Sequence, residues 1–302
     1  MSFKTKQQLW LNALAGLIYL LVSSGAMLLL LAIVFFMTRE SWPAWSAMGP
    51  ARLIGGLDWS PLANPPLLGL GAMICSTLWT ALGAILLAAP IGLCSAVFLA
   101  EFAPTWLAAI IRPVLNVLTG IPSVVYGFLG AAVLVKYFEA SWHMASGESL
   151  FCASLVLTVM VLPYIVATSE AALRAVPGEY RQAALALGVS RQYAALKVML
   201  PLASRGLLGA LILAFGRAAG ETMAVLMLAG NILLFPTSWF GKGEPISALI
   251  ALELGTSVAG SLHYRALFAA GLVLLAFVMC INMLINILLH SKKNGVHKHG
   301  GY

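Results

Sequence analysis

The residues best placed to do chemistry stand together in an otherwise apolar run, Phe215-Gly216-Arg217-Ala218-Ala219-Gly220-Glu221-Thr222-Met223-Ala224-Val225. A charge at mid-membrane costs at least ~2.5 kcal/mol on insertion scales, and such residues usually face a pathway or a partner. Counting from Arg205 at the cytoplasmic edge, twelve residues at ~1.5 Å rise put Arg217 about 18 Å deep, near the middle of a ~30 Å hydrocarbon core. Arg217 and Glu221 are then i and i+4 on one helix face. Arg before Glu is the less favourable order, so helix propensity does not account for the pair. Two readings fit. One is an intramembrane salt bridge that fixes packing. The other is an anion site, because a planar, permanently charged guanidinium suits a tetrahedral oxyanion. Glu221 would hold Arg217 while the site is empty, and Thr222 would add a hydroxyl donor. Gly216 and Gly220 make a GxxxG step that lets a second helix approach.

The elements that position these residues follow from composition. With 61% hydrophobic and 9% charged residues, this is not an ordinary soluble domain. Uncharged runs at Leu9–Thr38, Leu67–Ala100, Pro113–Val135, Ser149–Ser169 and Ala266–Ser291 each reach the ~20 residues needed to span hydrocarbon. The Arg217 segment is the sixth, so the expectation is an all-α membrane protein with six transmembrane helices. The first run follows Lys4 and Lys6 but is too long for a signal-peptide core and lacks a convincing cleavage site.

Loop charges predict the orientation. With the N-terminus inside, the cytoplasmic set is Lys4, Lys6, Arg112, Arg174, Arg181, Arg191, Lys197, Arg205, Lys292, Lys293 and Lys298. The external set is Arg39, Arg52, Lys136, Lys242 and Arg265. Both termini and the 170–204 loop then face the cytoplasm. The net charge of +7 is mostly this asymmetry and implies no nucleic-acid binding.

The polar insert between the fourth and fifth spans, with the stretch RQAALALGVSRQYAALKVMLP from Arg181 to Pro201, reads as two short helices meeting at a bend. Pro177 suits a first turn, Gly188 a C′ position and Ser190 an N-cap, and Pro201 is expected to stop the second helix. Ala183 and Ala184 leave room for a partner to approach closely. A compact alanine-faced elbow outside the membrane reads as a docking surface, against the plainer reading of an amphipathic loop helix. In the third span, Pro122 removes a backbone donor while Gly120 and Gly127 permit close helix contact, which reads as either a broken or a tightly packed helix. Pro90 and Gly92 suggest a kink before Glu101. Trp42, Trp45 and Trp59 in the 39–66 loop suit a membrane interface, with a surface for an external partner as the alternative. A short interfacial helix is expected within 246–254. Cys75, Cys94, Cys152 and Cys280 read as small buried hydrophobes. His143 and His263 read as solvated, and the His297-Lys298-His299 tail as a flexible basic terminus. There is no GxxxxGK[ST]; Gly241-Lys242-Gly243 lacks the upstream glycine and the hydroxyl.

At these residues the chain resembles a known family. Gln182-Ala183-Ala184, Gly188, Val198 and Leu200-Pro201 fall at the offsets of the EAA loop of binding-protein-dependent ABC importer permeases, with Gln for Glu and Val for Ile. The more literal Glu170-Ala171-Ala172 lacks the Gly and Leu-Pro that should follow. GIPSVVYG at 120–127 and GRAAGETMAVLMLAGN at 216–231 look like segments of phosphate importer permeases of the PstC type. The resemblance implies a type I importer permease fold, with a first helix and external loop over 1–66. A permease core would follow over 67–290 with its coupling loop at 170–204, then a basic cytoplasmic tail over 291–302. It implies inorganic phosphate as cargo in a bacterial inner membrane, with Arg217 and Glu221 on the path. It also implies a PstA-type second permease, two ATP-binding subunits and a periplasmic phosphate-binding protein. No cofactor would be bound by this chain and no catalysis done by it; ATP and Mg would be used by the ATPase subunits. Other oxyanions such as sulfate or molybdate are the near alternative, and a secondary anion transporter gated by the charge pair is the distant one.

Overall fold

In the computed structural model the backbone is described over residues 3–142 and 146–296. The helices in chain order are α1 (Phe3–Met48), α2 (Pro50–Gly55), α3 (Gly71–Val97), α4 (Thr105–Gly120), α5 (Ser123–Leu129), α6 (Lys136–Trp142), α7 (Leu150–Arg174), α8 (Gly178–Ala186), α9 (Arg191–Tyr193), α10 (Leu200–Ala219), α11 (Met223–Leu228), α12 (Ile246–Glu253) and α13 (Leu262–Val296). Two-residue strands β1 (Trp59–Ser60) and β2 (Leu67–Leu68) pair antiparallel before α3. π-helical turns at Phe98–Phe102, Gly130–Val135 and Ala194–Met199 join α3 to the next loop, α5 to α6 and α9 to α10. Among the described residues, six helical segments are long and apolar enough to cross a membrane: Leu14–Met48, Gly71–Phe102, Ser123–Trp142, Leu150–Arg174, Arg191–Ala219 and Leu262–Met283.

The centre is the α3–α7 pair. Between apolar helices in lipid the driving force is close packing, which small residues permit. α3 accordingly turns Ala81, Ala84 and Ala88 into the core beside Val156, Leu157 and Met160 of α7. A Cβ on Gly92 would come within 2.7 Å of the Ile165 side chain. Hydroxyls join the helices as well: Ser154 Oγ donates to the Thr80 carbonyl (3.2 Å) and Thr158 Oγ1 to the Ala84 carbonyl (3.3 Å). α7 starts where Ser149 caps it, its side chain accepting from the Cys152 amide. α10 packs on both α3 and α7, and α13 lies along α1.

Several expectations are corrected. α1 runs through Pro43 to Met48, so Trp42 and Trp45 are helical and the loop expected from residue 39 starts later. α3 continues through Pro90, and its irregularity is the π turn that contains Glu101. The third span begins at Ser123, because the chain leaves the helix at Ile121–Pro122; α4 is a separate amphipathic helix. Helix α12 is present, yet Ile246, Ala248 and Leu249 are buried in the core rather than interfacial. Cys152 is buried, but Cys94 and Cys280 are exposed on the chain surface and Cys75 is half-buried. His263 is not solvated: its ring nitrogen lies 2.7 Å from Glu253, which also accepts from Trp59 Nε1 (2.9 Å). His143 and the His297–His299 tail lie outside the described residues.

Candidate functional site

The site is built at the end of α10. The expected single helix over 205–231 is interrupted: α10 stops at Ala219, and α11 begins only at Met223. Gly220 takes the C-cap, where its poor helix propensity costs little. Arg217 therefore sits in the last turn of one helix and Glu221 in the break beyond it, so the i,i+4 pair on one face does not form. Among the described residues neither side chain belongs to an ion pair.

Arg217 instead places its guanidinium carbon 4.4 Å from the centroid of the Tyr164 ring. A cation over an aromatic face is attracted by the ring quadrupole, worth about 0.5–2 kcal/mol, and spends no hydrogen-bond donor on it. Tyr164 lies fourteen residues in from Leu150 and ten before Arg174 on α7, about 21 Å and 15 Å at 1.5 Å per residue. The guanidinium is thus held beside the middle of α7, on an exposed face, although Arg217 stands near the end of α10. The Glu221 carbonyl accepts a 2.6 Å bond from Ser247 Oγ of α12, which fixes the break. Thr222 Oγ1 donates to the Gly220 carbonyl at 3.4 Å, a local turn contact.

The two conspicuous glycine-bearing segments turn out to pack on each other. A Cβ on Gly127 would stand 2.9 Å from Met227 Sδ and 3.0 Å from the Ala224 Cα, so α5 and α11 meet at backbone distance. Tyr126 reaches back across the Pro122 break and donates to the Leu118 carbonyl (3.0 Å), satisfying the end of α4. Gly120 has open space where a Cβ would stand; it ends α4 and makes no close helix contact. Gly216 faces Val278 of α13, whereas Gly220 meets only its own helix end, so the GxxxG step serves one neighbour rather than two.

The elbow forms much as read. α8 ends before Gly188, whose φ of +78° is the left-handed conformation glycine adopts without strain. Ser190 caps α9, its hydroxyl accepting from the Tyr193 amide (3.2 Å). Pro201 does not stop the second helix. The π turn at Ala194–Met199 lets the chain pass into α10, with Pro201 in its first turn, where a missing N–H is harmless. Within 170–204, α7 reaches Arg174 and an unbroken helical segment runs from Arg191 through α10. Gln182 and Ala183 are exposed, Ala184 is buried against the following turn, and Leu200 is half-buried.

Sequence reasoning missed how the elbow is tied down. Glu101, 2% exposed, lies 2.6 Å from Arg181 of α8. Arg174 donates to the Leu99 carbonyl (3.1 Å), and Arg191 sits 5.6 Å from the Phe102 ring centroid. The π turn at the end of α3 thus holds three cations of the elbow region. Glu170 is no EAA residue but a buried carboxylate bonded by Arg112 (2.7 Å) and Arg174 (2.8 Å). The available signal was the carboxylate that ends two of the long apolar runs, Glu101 after Leu67–Ala100 and Glu170 after Ser149–Ser169.

Comparison with known proteins decides the family. Residues 88–293 match the binding-protein-dependent transport system inner membrane component family. The chain belongs to that family. It is 35% identical over 248 residues to the probable ABC transporter permease protein YqgH of Bacillus subtilis, covering 82% of this chain and 80% of that one. It is 32% identical over 291 residues to the phosphate transport system permease protein PstC of Pasteurella multocida, covering 89% of each. Among solved structures it superposes on the MetNI methionine ABC transporter in an inward-facing conformation, with a TM-score of 0.58 at 18% identity, over 72% of this chain and 94% of that one. The fold is that of an ABC importer permease, and the chain is a multi-pass membrane subunit of a transporter.

Proposed function

We propose that this chain is the transmembrane permease subunit of an ATP-driven importer of inorganic phosphate in a bacterial inner membrane. One observation carries the assignment of the path. A permanently charged guanidinium is fixed beside the middle of α7 by an aromatic face, with no carboxylate paired to it among the described residues. A charge so placed needs an anionic partner that comes and goes, and PstC permeases at about 32% identity supply the substrate class. Arg217 meets the anion; Glu221 and Thr222, in the break beyond it, line the approach.

The chain itself is not an enzyme in this reading. A PstA-type permease completes the path, two ATP-binding subunits hydrolyse ATP with Mg, and a periplasmic binding protein delivers phosphate. The elbow around Gln182, Ala183, Ala184 and Gly188 faces the cytoplasm with both termini and docks on an ATP-binding subunit. Closure of the ATPase dimer is passed through the continuous helix past Leu200 and Pro201 into α10, at whose far end Arg217 stands.

The test is labelled-phosphate uptake by cells carrying wild-type protein or Arg217→Gln at equal membrane levels, with excess unlabelled sulfate and molybdate. Uptake that resists the competitors and falls at least tenfold in the variant supports the reading. Unchanged uptake in the variant makes Arg217 structural. Wild-type uptake blocked by a competitor assigns the path to another oxyanion.

A further inference from the structure

Below Arg217 a strip of polar groups runs between α4 and α7, although α4 also exposes Trp106, Ile110, Val114 and Val117. The Tyr164 hydroxyl lies 3.5 Å from the Thr119 carbonyl, and Thr119 Oγ1 bonds the Asn116 carbonyl one turn further along α4 (2.7 Å). There a cleft of about 350 Å³ opens, lined by Arg112, Asn116, Ala167, Glu170, Ala171 and Arg174 among others. At ~30 Å³ per water it holds roughly ten waters. The Asn116 amide has no partner among the described residues, and Ala167 and Ala171 leave the floor open.

The charge arrangement of this cleft exceeds what holding Glu170 requires. Both arginines reach the same oxygen, Glu170 Oε1, at 2.7 and 2.8 Å. Each remains about half exposed while Glu170 is buried. A guanidinium has five donors, so both keep donors free towards the cleft, and the cluster carries one net positive charge.

Resting on the assignment of Arg217 to the path, we infer that this cleft is a second oxyanion station on the cytoplasmic side. There a phosphate leaving Arg217 is taken by Arg112, Arg174 and the Asn116 amide. Glu170 is the resident anion that keeps the station weak. Glu170 lies six residues along α7 from Tyr164, about 9 Å at 1.5 Å per residue. A second site at that spacing, with its charge mostly neutralised, lets the anion move on without being trapped, since conduction needs binding loose enough to release. A lipid phosphate has the same chemistry; the translocated ion is favoured because Tyr164, Thr119 and Asn116 lead from Arg217 to the cleft.

The test uses the whole transporter, permeases with ATPase subunits and binding protein, in vesicles of phosphatidylcholine alone or with phosphatidylglycerol, and labelled inorganic phosphate. Asn116→Asp is nearly isosteric and adds a negative charge while leaving both arginines in place. Uptake is expected to fall at least tenfold in both vesicle types, against less than threefold for the neutral Asn116→Gln. Asn116→Asp uptake above half of wild type overturns the station, as does an equal loss in Asn116→Gln. A loss confined to phosphatidylglycerol vesicles assigns the cleft to a lipid headgroup and overturns it too. If Asn116→Asp does not assemble, Ala167→Asp against Ala167→Asn is read by the same criteria. Arg217→Gln in the same vesicles separates the two readings. Its collapse beside an active Asn116→Asp removes only the station, whereas absent wild-type uptake removes both.

Discussion

Glu101 Oε1 lies 2.6 Å from Arg181 Nη2, and the two belong to different parts of the chain: the π turn ending α3 and the exposed helix α8. The carboxylate is almost wholly buried, whereas the guanidinium is about a third exposed. Removing the arginine therefore strands a buried charge, which costs more than the pair contributes. Arg181→Ala is expected to lower the stability of the purified permease by about 1–3 kcal/mol, less than for a fully buried pair because Arg181 is wetted. Glu101→Gln with Arg181→Gln together should recover part of that loss. Thermal melting in detergent of the two variants measures the difference. Equal melting of Arg181→Ala and wild type would show that the contact holds nothing.

Gly127 and Gly120 stand seven residues apart in one conspicuous segment and are predicted to behave oppositely. A methyl on Gly127 meets the Met227 sulfur and the Ala224 backbone; one on Gly120 meets nothing within 4 Å. Overpacking typically costs about 1–3 kcal/mol, while open positions vary within ~0.5 kcal/mol. Gly127→Ala should lower the melting temperature and, by displacing α11, disturb the Glu221 break and reduce uptake. Gly120→Ala should leave melting unchanged. The two single variants, melted side by side, decide the point.

Most of the architecture was legible because the bilayer imposes a simple code. Five uncharged runs of spanning length and the segment around Arg217 marked six crossings, and Gly188 and Ser190 marked the elbow through backbone requirements that few residues meet. Boundaries failed where lipid-phase helices tolerate irregularity. Pro43 and Pro90 lie inside helices, and Pro201 lies in a first turn directly after a π turn. The Arg217–Glu221 pair was misread for a related reason: a periodic count assumes an unbroken helix, and Gly220 ends it. Glu101, Glu170 and Tyr164 carry the site's tertiary contacts, yet their partners are 80, 58 and 53 positions away. No local pattern encodes such separations.

Leu187 is 84% exposed at the tip of the elbow, between α8 and Gly188. A large apolar side chain projecting from a polar loop fits a socket on a partner better than water. With the elbow read as the ATPase-docking surface, Leu187→Asp should weaken assembly with the ATP-binding subunits and lower phosphate uptake at least fivefold. The melting temperature of the isolated permease should stay within ~1 °C, since the side chain touches little of its own chain. Co-purification of the subunits, with melting of the permease alone, checks both halves. Full co-purification would place the docking surface elsewhere.

Glu244 sits in the segment between α11 and α12 and is 4% exposed. Burial, with a smaller push from the nearby Glu253 carboxylate, raises its pKa to about 7. Glu253 is itself engaged by His263 and Trp59, so neither of those contacts neutralises Glu244. The sign follows from linkage. A carboxyl whose folded-state pKa is raised favours the neutral form, so its contribution is fully present below its unfolded value near 4.5 and is lost as pH rises through about 7. The segment that carries Ser247, and through it the Glu221 carbonyl (2.6 Å), should therefore loosen between pH 5 and 8. Glu244→Gln keeps the shape and removes the titration, so its melting temperature is expected to vary less with pH and to exceed wild type at pH 8. Hydrogen exchange of the 240–250 amides at pH 5.5 and 8, corrected for intrinsic rates, reads the same transition locally. Identical protection ratios in wild type and variant would show that Glu244 does not control the segment.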